Sequence, residues 1–306
     1  MTRLLLLNDT IDHDNWGANA CSEWLKRIVQ DHMPDAVFSS VLSHWTTDRF
    51  YIRPWWLGGG VDTRRRKVVG RFCTPLSFLP KVTDDFDRQA DSWQAGQGGP
   101  FADEFLGKLK ISDAVIFNAE GSTYRNNTSA VRCLFALWIA VTRYGKPAFF
   151  TNGSVTLTPV FPILNAMVSR TFQSITAVSV REPCSLDNVH HWIPGVDIAL
   201  YPDSVFYSAE KPVSIQNPET LDFMNSLQKS DYFCFSLSML TSSIGGYQAA
   251  GIDTTALYDL IRSLQRIVPE AVLMARDGMD QAIIRNLARA TGSRVFGPEH
   301  HHSSVG

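Results

Sequence analysis

The chain opens with four leucines, Leu4–Leu7, that stop at Asn8-Asp9; a short unbroken apolar run with a polar stop is the pattern of a strand buried on both faces. From Gly17 to about Gln30 the period changes, and Ala20, Trp24, Leu25 and Ile28 fall on one side of a helix. Ala36–Leu42 reads as a second strand. Residues from about 43 to 100 show neither period and are rich in Trp, Arg, Gly and Pro. They are expected to form a long irregular insertion, and a stretch of that length inside a domain is usually functional.

Regular alternation returns at Asp113. Ala114–Phe117 reads as a strand, Ser129–Tyr144 as a helix, Pro147–Asn152 as a strand, Pro159–Phe172 as a helix, and Ile175–Val180 as a strand. A helix over Glu182–His191 and a strand near Val196–Leu200 follow. Strands separated by helices predict a parallel sheet covered on both faces. Between Ser208 and Ser230 the chain turns polar and carries Lys211-Pro212 and Asn217-Pro218, the pattern of a linker. Beyond it come strand Tyr232–Leu237, a Gly-containing loop over Ser242–Gly251, helix Thr254–Val268, strand Ala271–Ala275, helix Asp277–Thr291 and strand Arg294–Gly297. The expected class is α/β, with two Rossmann-like lobes of mostly parallel sheet. The first takes residues 1–210 with the insertion at about 43–100, a linker takes 211–230, and the second lobe takes 231–306. With three strands the second has about half the sheet of a self-sufficient lobe and is expected to be either unusually small or truncated.

Charge narrows the partners. Across 306 residues, 28 Lys and Arg against 30 Asp and Glu leave a formal charge of −2, so there is no global basic field for a phosphate backbone, and nucleic acid is not expected as a partner. No apolar run approaches the roughly 18 to 20 residues that span a bilayer. Four leucines are too few for the core of a secretory signal, so a cytoplasmic location is expected. The cysteines (Cys21, Cys73, Cys133, Cys184, Cys234) are odd in number and form no CxxC pair; they predict neither a disulfide framework nor a zinc site and read as buried or inert thiols. His300-His301-His302 lack the i, i+4 spacing of helical metal ligands and read as loop, so no metal is expected. The basic run Arg64–Lys67 with Arg71, close to Trp55, Trp56 and Gly58–Gly60, is either a solvated face or a flap that meets an anionic acceptor.

In a parallel α/β sheet, ligands bind beyond the carboxyl ends of the strands, so the loops directly after strands carry the search. After the first strand, Asn15-Trp16-Gly17 opens a helix whose N-terminal N–H groups suit an anion or a hydroxylated ligand, unless Asp14 or Asn15 merely caps it. After the Ala114 strand come Asn118, Glu120, Gly121 and Ser122, where the glycine would let backbone approach a ligand. The third loop offers Asn152 and Ser154, and the fourth Arg181 and Ser185. Arg181 is the strongest single residue: at the ligand face of a sheet a guanidinium can grip phosphate or carboxylate in bidentate fashion, where elsewhere it would be a surface ion-pair partner. Asp203, in Tyr201-Pro202-Asp203-Ser204, ends a further strand, as a ligand contact or as a turn former. No Ser-His-Asp set or carboxylate pair is recognisable by spacing.

Taken in order, Asp14–Ala20, Asp113–Asn127, Gly145–Val155, Ile175–Val189 and Tyr201–Phe206 resemble the polysaccharide pyruvyl transferase family over about Asn8 to Phe206. The resemblance implies two Rossmann-like lobes of GT-B type. It implies transfer of the enolpyruvyl unit of phosphoenolpyruvate, with no other cofactor, to two hydroxyls of a cell-surface or exopolysaccharide sugar or its lipid-linked precursor, giving a pyruvate ketal and phosphate. A lipid-linked acceptor would bring the protein to the inner face of a membrane. Arg181 stands at the position of the family's strand-end Arg and would be catalytic. The other loop residues named above would bind substrate. The family's Arg-x-His motif, which supplies a second Arg and a His suited to an acid role, has no match before Gly306. Two other functions are compatible with such a fold, a glycosyltransferase using a nucleotide sugar and a non-catalytic carbohydrate-binding derivative.

Overall fold

A computed structural model describes residues 1–11, 16–41, 79–80, 82–121, 123, 128–210, 218–237, 254–275 and 281–297. The chain divides into two compact units, one of Met1–His13 and Ala18–Glu210, the other of Asp14–Gly17 and Lys211–Gly306.

The larger unit is built on six strands: β1 (Thr2–Leu7), β2 (Ala36–Ser40), β3 (Ala114–Asn118), β4 (Ala148–Gly153), β5 (Ala177–Val180) and β6 (Ala199–Leu200). They lie in the order β2-β1-β3-β4-β5-β6, and every neighbouring pair is parallel. Helices α1 (Trp16–His32), α2 (Phe86–Gln94), α3 (Pro100–Ile111), α4 (Thr128–Tyr144), α5 (Pro162–Phe172) and α6 (Pro183–Trp192) belong to this part of the chain. The leucine run sorts by alternation, as side chains on a strand must. Leu4 and Leu6 pack with Leu25 of α1 and Ile116, whereas Leu5 and Leu7 enter the main core with α2 to α5. That core is aromatic. Trp93 sits edge-on to Phe135 at 4.9 Å between ring centroids, and Phe86 edge-on to Trp138 at 4.9 Å. Edge-to-face pairs of this kind add about 0.5 to 1.5 kcal/mol beyond the burial of their area.

Two expectations about order along the chain are corrected. The stretch expected to be irregular to about residue 100 contains α2, and α3 follows at once from Pro100, which occupies the first helical turn where its missing N–H costs nothing. Phe86, Gln89, Ala90 and Trp93 are the buried face of α2. Within the stretch expected as a linker, Pro218–Leu227 is helix α7, again opened by proline. The basic run at 64–67, Arg71, Trp55, Trp56, Cys73 and His300–His302 lie outside the described residues. Cys21 and Cys133 are buried, while Cys184 and Cys234 are exposed.

The second unit carries β7 (Tyr232–Leu237), β8 (Glu270–Ala275) and β9 (Arg294–Phe296), parallel and in that order, with α8 (Thr254–Gln265) and α9 (Gln281–Thr291). Ile261, Ile284, Leu287 and Ala288 of the two helices close over Leu273 and Ala275. Arg294 of β9 fastens α7 to this sheet: its Nη1 meets Glu270 at 2.9 Å, its Nη2 donates to Ser226 Oγ at 2.6 Å, and its guanidinium lies 4.3 Å from the Phe223 ring centroid. Among the described residues no helix is long and apolar enough to cross a membrane.

Candidate active site at the carboxyl ends of the first sheet

The strand order places a topological switch between β1 and β3, because the connection leaving β1 runs to β2 on one side and the chain then returns to β3 on the other. Open parallel sheets bind ligands in the crevice above such a point. Three asparagines meet there. Asn8, directly after β1, donates from Nδ2 to the Asn118 carbonyl at 2.7 Å. Asn118, the last residue of β3, donates to Ser22 Oγ of α1 at 2.9 Å and accepts at Oδ1 from Asn152 Nδ2 at 3.2 Å. Asn152 of β4 also donates to Ser204 Oγ at 2.7 Å and accepts the Ser204 N–H at 2.8 Å. The ladder thus crosses from β1 to the segment after β6.

Asn8 and Asn152 hold positive φ, 59° and 63°, and asparagine is among the few non-glycine residues that take this conformation readily. At Asn152 it coincides with a shift in the β4–β5 register between Phe150 and Gly153. Gly153 is needed there for space: a Cβ would fall 2.6 Å from Phe150 Cζ and 2.8 Å from the Ala119 Cβ. Gly121 differs from expectation. A Cβ there would meet open space, so its φ of 63°, and not a close approach of backbone, is what calls for glycine.

Beside the ladder lies a charged cluster. Arg181, the first residue after β5, donates from Nε to Glu182 Oε1 at 2.7 Å and to Ser154 Oγ at 3.0 Å, and from Nη1 to Asp203 Oδ2 at 2.6 Å. Its Nη2 has no protein partner among the described residues, and its side chain is 22% exposed. Burial alone would disfavour the charged guanidinium, but the hydrogen bond it donates to Glu182 and the charges of Asp203, Glu182 and Glu120 outweigh it and raise its pKa. Glu182 stands at the N-cap of α6 yet makes no cap bond. Its carboxylate instead accepts from Ser154 Oγ at 2.5 Å and Ser185 Oγ at 3.0 Å. Asp203 Oδ1 accepts from the Val205 N–H and the Cys21 thiol, both at 3.1 Å. Burial first, then the Asp203 charge and hydrogen bond and the Glu120 charge, push that thiol far above its ordinary range, so Cys21 stays protonated and donates.

Glu120 completes the group from the loop after β3. Its carboxyl is held above the ordinary glutamate range by burial, with the nearby Asp203 charge acting in the same sense and Arg181 against it. It makes no side-chain hydrogen bond among the described residues.

Of the residues singled out by sequence, Asn118, Glu120, Asn152, Ser154, Arg181, Ser185 and Asp203 come together. Asn118, Asn152 and Ser185 are buried and engage the protein's own groups, Ser185 also through the Val155 N–H at 3.0 Å. Gly17 is exposed in the first turn of α1, which Trp16 opens. Asn15 and Ser122 lie outside the described residues, as does the Trp16 side chain. Asn8, Cys21, Ser22, Glu182 and Ser204 belong to the arrangement without having been expected. Asn8 and Glu182 were legible as polar residues at strand ends, but Cys21 and Ser22 are interior positions of a helix and carried no signal.

Among solved structures the chain is similar to a UDP-N-acetylglucosamine 2-epimerase from Rickettsia bellii, at 12% identity and a TM-score of 0.43, over 97% of this chain and 68% of that one. No curated protein matches it. The model of the polysaccharide pyruvyl transferase family matches residues 15–287, which takes in the strand-end cluster and most of the second unit. The chain belongs to the polysaccharide pyruvyl transferase family, a family of transferases.

Proposed function

We propose that this chain transfers the enolpyruvyl unit of phosphoenolpyruvate to two hydroxyls of a saccharide, forming a cyclic pyruvate ketal and free phosphate, with Arg181 as an anchor for the donor. The observation that carries this is a guanidinium fixed at the strand ends by two carboxylates, with Nη2 left for a ligand oxygen. Two held nitrogens order the fork, so little side-chain entropy is lost when an anion takes the third. The polar rim around it, with Ser154 and the loop at Gly121, suits a hydroxylated acceptor. A lipid-linked precursor of a cell-surface sugar as acceptor would place the reaction at the inner face of a membrane.

Phosphate release from phosphoenolpyruvate in the presence of a pyranoside acceptor is the test. Arg181→Ala should lower the rate at least 30-fold, the lower end of the roughly 2 to 5 kcal/mol lost when a buried charge partner is removed. Arg181→Lys, which keeps the charge without the fork, should fall between. Wild-type rates in the alanine variant would take Arg181 out of the site. Saccharide binding with no phosphate release by the unmodified protein would overturn the function itself.

A further inference from the structure

Arg181 is held from two sides, and the two holds are not alike. Glu182, which takes Nε, is its neighbour in the chain and is itself fixed by Ser154 and Ser185. A single carboxylate at Nε leaves the guanidinium plane free to swing about that contact. The second bond, from Nη1 to Asp203 Oδ2 at 2.6 Å, therefore decides where Nη2 points. Asp203 stands on a segment with little backbone support. β6 is two residues long, and among the described residues the last backbone bond from this segment to the sheet is the Tyr201 N–H on the Val180 carbonyl at 3.0 Å. Beyond that point Ser204 fastens the chain. Its N–H donates to Asn152 Oδ1 at 2.8 Å and its hydroxyl accepts from Asn152 Nδ2 at 2.7 Å, which ties the segment to β4. The same hydroxyl donates to the Cys21 carbonyl at 2.8 Å, which ties it to α1, whose Cys21 thiol meets Asp203 Oδ1. Ser204 is itself buried, so its hydroxyl serves the protein and not a ligand.

We propose that Ser204 is a positioning residue for the donor anchor, a role that rests on the function proposed above. By clamping the segment after β6 to β4 and α1 it holds Asp203 on Arg181 Nη1, and so aims Nη2 at the donor without touching it. A fork already ordered loses little entropy when an anion arrives. One that swings must be stilled by the ligand, and affinity falls by that cost.

Ser204→Ala removes the hydroxyl alone. The Ser204 N–H stays on Asn152 Oδ1 and Asn152 Nδ2 stays on Asn118 Oδ1, so the fold is retained, which thermal unfolding checks. Phosphoenolpyruvate binding measured by calorimetry should weaken about 2- to 10-fold, the range for immobilising one long side chain. In an Arg181→Lys background there is no fork to aim, and the same substitution should cost less than about 2-fold. Equal losses in the two backgrounds would mark a general loosening of the fold and overturn the assignment. A second measurement needs no donor. Rotation about the Arg181 Cζ–Nη1 bond, followed by nitrogen NMR, is slowed by the bond to Asp203 and should be faster in Ser204→Ala than in the wild type; an unchanged rate overturns the proposal. Failure of the proposed function reads out differently, as no phosphate release from the unmodified protein while the Arg181 rotation still responds to Ser204→Ala.

Discussion

Two guanidiniums in the larger unit meet opposite fates. Arg181, at the strand ends, is 22% exposed and has carboxylates on two of its nitrogens. Arg132, in the first half of α4, is 2% exposed, and its Nε and Nη2 have no hydrogen-bond partner among the described residues. What Arg132 has is the face of Phe101, 4.9 Å from its guanidinium carbon to the ring centroid. Burial therefore does not separate the proposed donor anchor from a core residue here. At the rim, loops from β5 and β6 converge and bring counter-charges from separate parts of the chain, so the charge is ordered without being lost. In the aromatic interior the helix face that places Arg132 brings no acid with it, and stacking on a ring is a weaker substitute for a carboxylate.

The largest test of this contrast is Arg181→Met. It leaves Asp203 and Glu182 without their cation, and stability in urea denaturation at neutral pH should fall by about 3 kcal/mol, the low end for breaking a buried pair because these groups keep some exposure. A variant as stable as the wild type would mean that the rim contributes order but no net free energy.

The neutral half of the rim can be separated from the charged half at Asn152. Alanine there deletes the bonds to Asn118 and Ser204, leaves the buried Ser204 N–H unsatisfied, and should cost about 2 kcal/mol. Alanine also resists a φ of 63°. Asn152→Gly loses the same side-chain bonds but keeps the backbone, so it should be the more stable of the two by about 0.5 to 1 kcal/mol after the extra entropy of glycine in the unfolded chain. The opposite order, measured in the same denaturation series, would show that the left-handed conformation is not retained at the end of β4.

The rim was legible in the sequence up to a definite point. Parallel sheets bind at their carboxyl ends, and the polar residues after each apolar run named loops that the fold brings together. Pairing was not legible, because it is set by strand order: Asn8 and Asn118 are 110 residues apart, and Arg181 reaches Asp203 across 22. Helices with a dense apolar face, such as α4, announced themselves, whereas α2 buries only Phe86, Gln89, Ala90 and Trp93 amid polar residues and precedes a Gly-rich turn, which hides its period. α7 was hidden by its prolines, read as breaks where Pro218 in fact starts a helix. Glu182 was legible as a helix start, but local spacing could not show that its carboxylate turns away from the cap toward Arg181.

The smallest effect, and the one of opposite sign, belongs to Arg132. A buried charge with no carboxylate partner among the described residues is a cost to folding that an apolar side chain of similar length avoids, and replacing buried ionic groups by well-packed hydrophobes is often neutral or stabilising. Methionine can follow the same path past Phe101, exchanging the cation–ring contact for a sulfur–ring contact of comparable size. Arg132→Met should therefore leave stability unchanged or raise it by about 1 kcal/mol, while phosphate release in the coupled assay stays at the wild-type rate. Set beside Arg181→Met, the pair forms a direct comparison of one side-chain change in two environments. A loss of more than about 2 kcal/mol in Arg132→Met would show that the interior compensates this charge as fully as the rim compensates Arg181, and the distinction between the two regions would then lie in exposure and not in pairing.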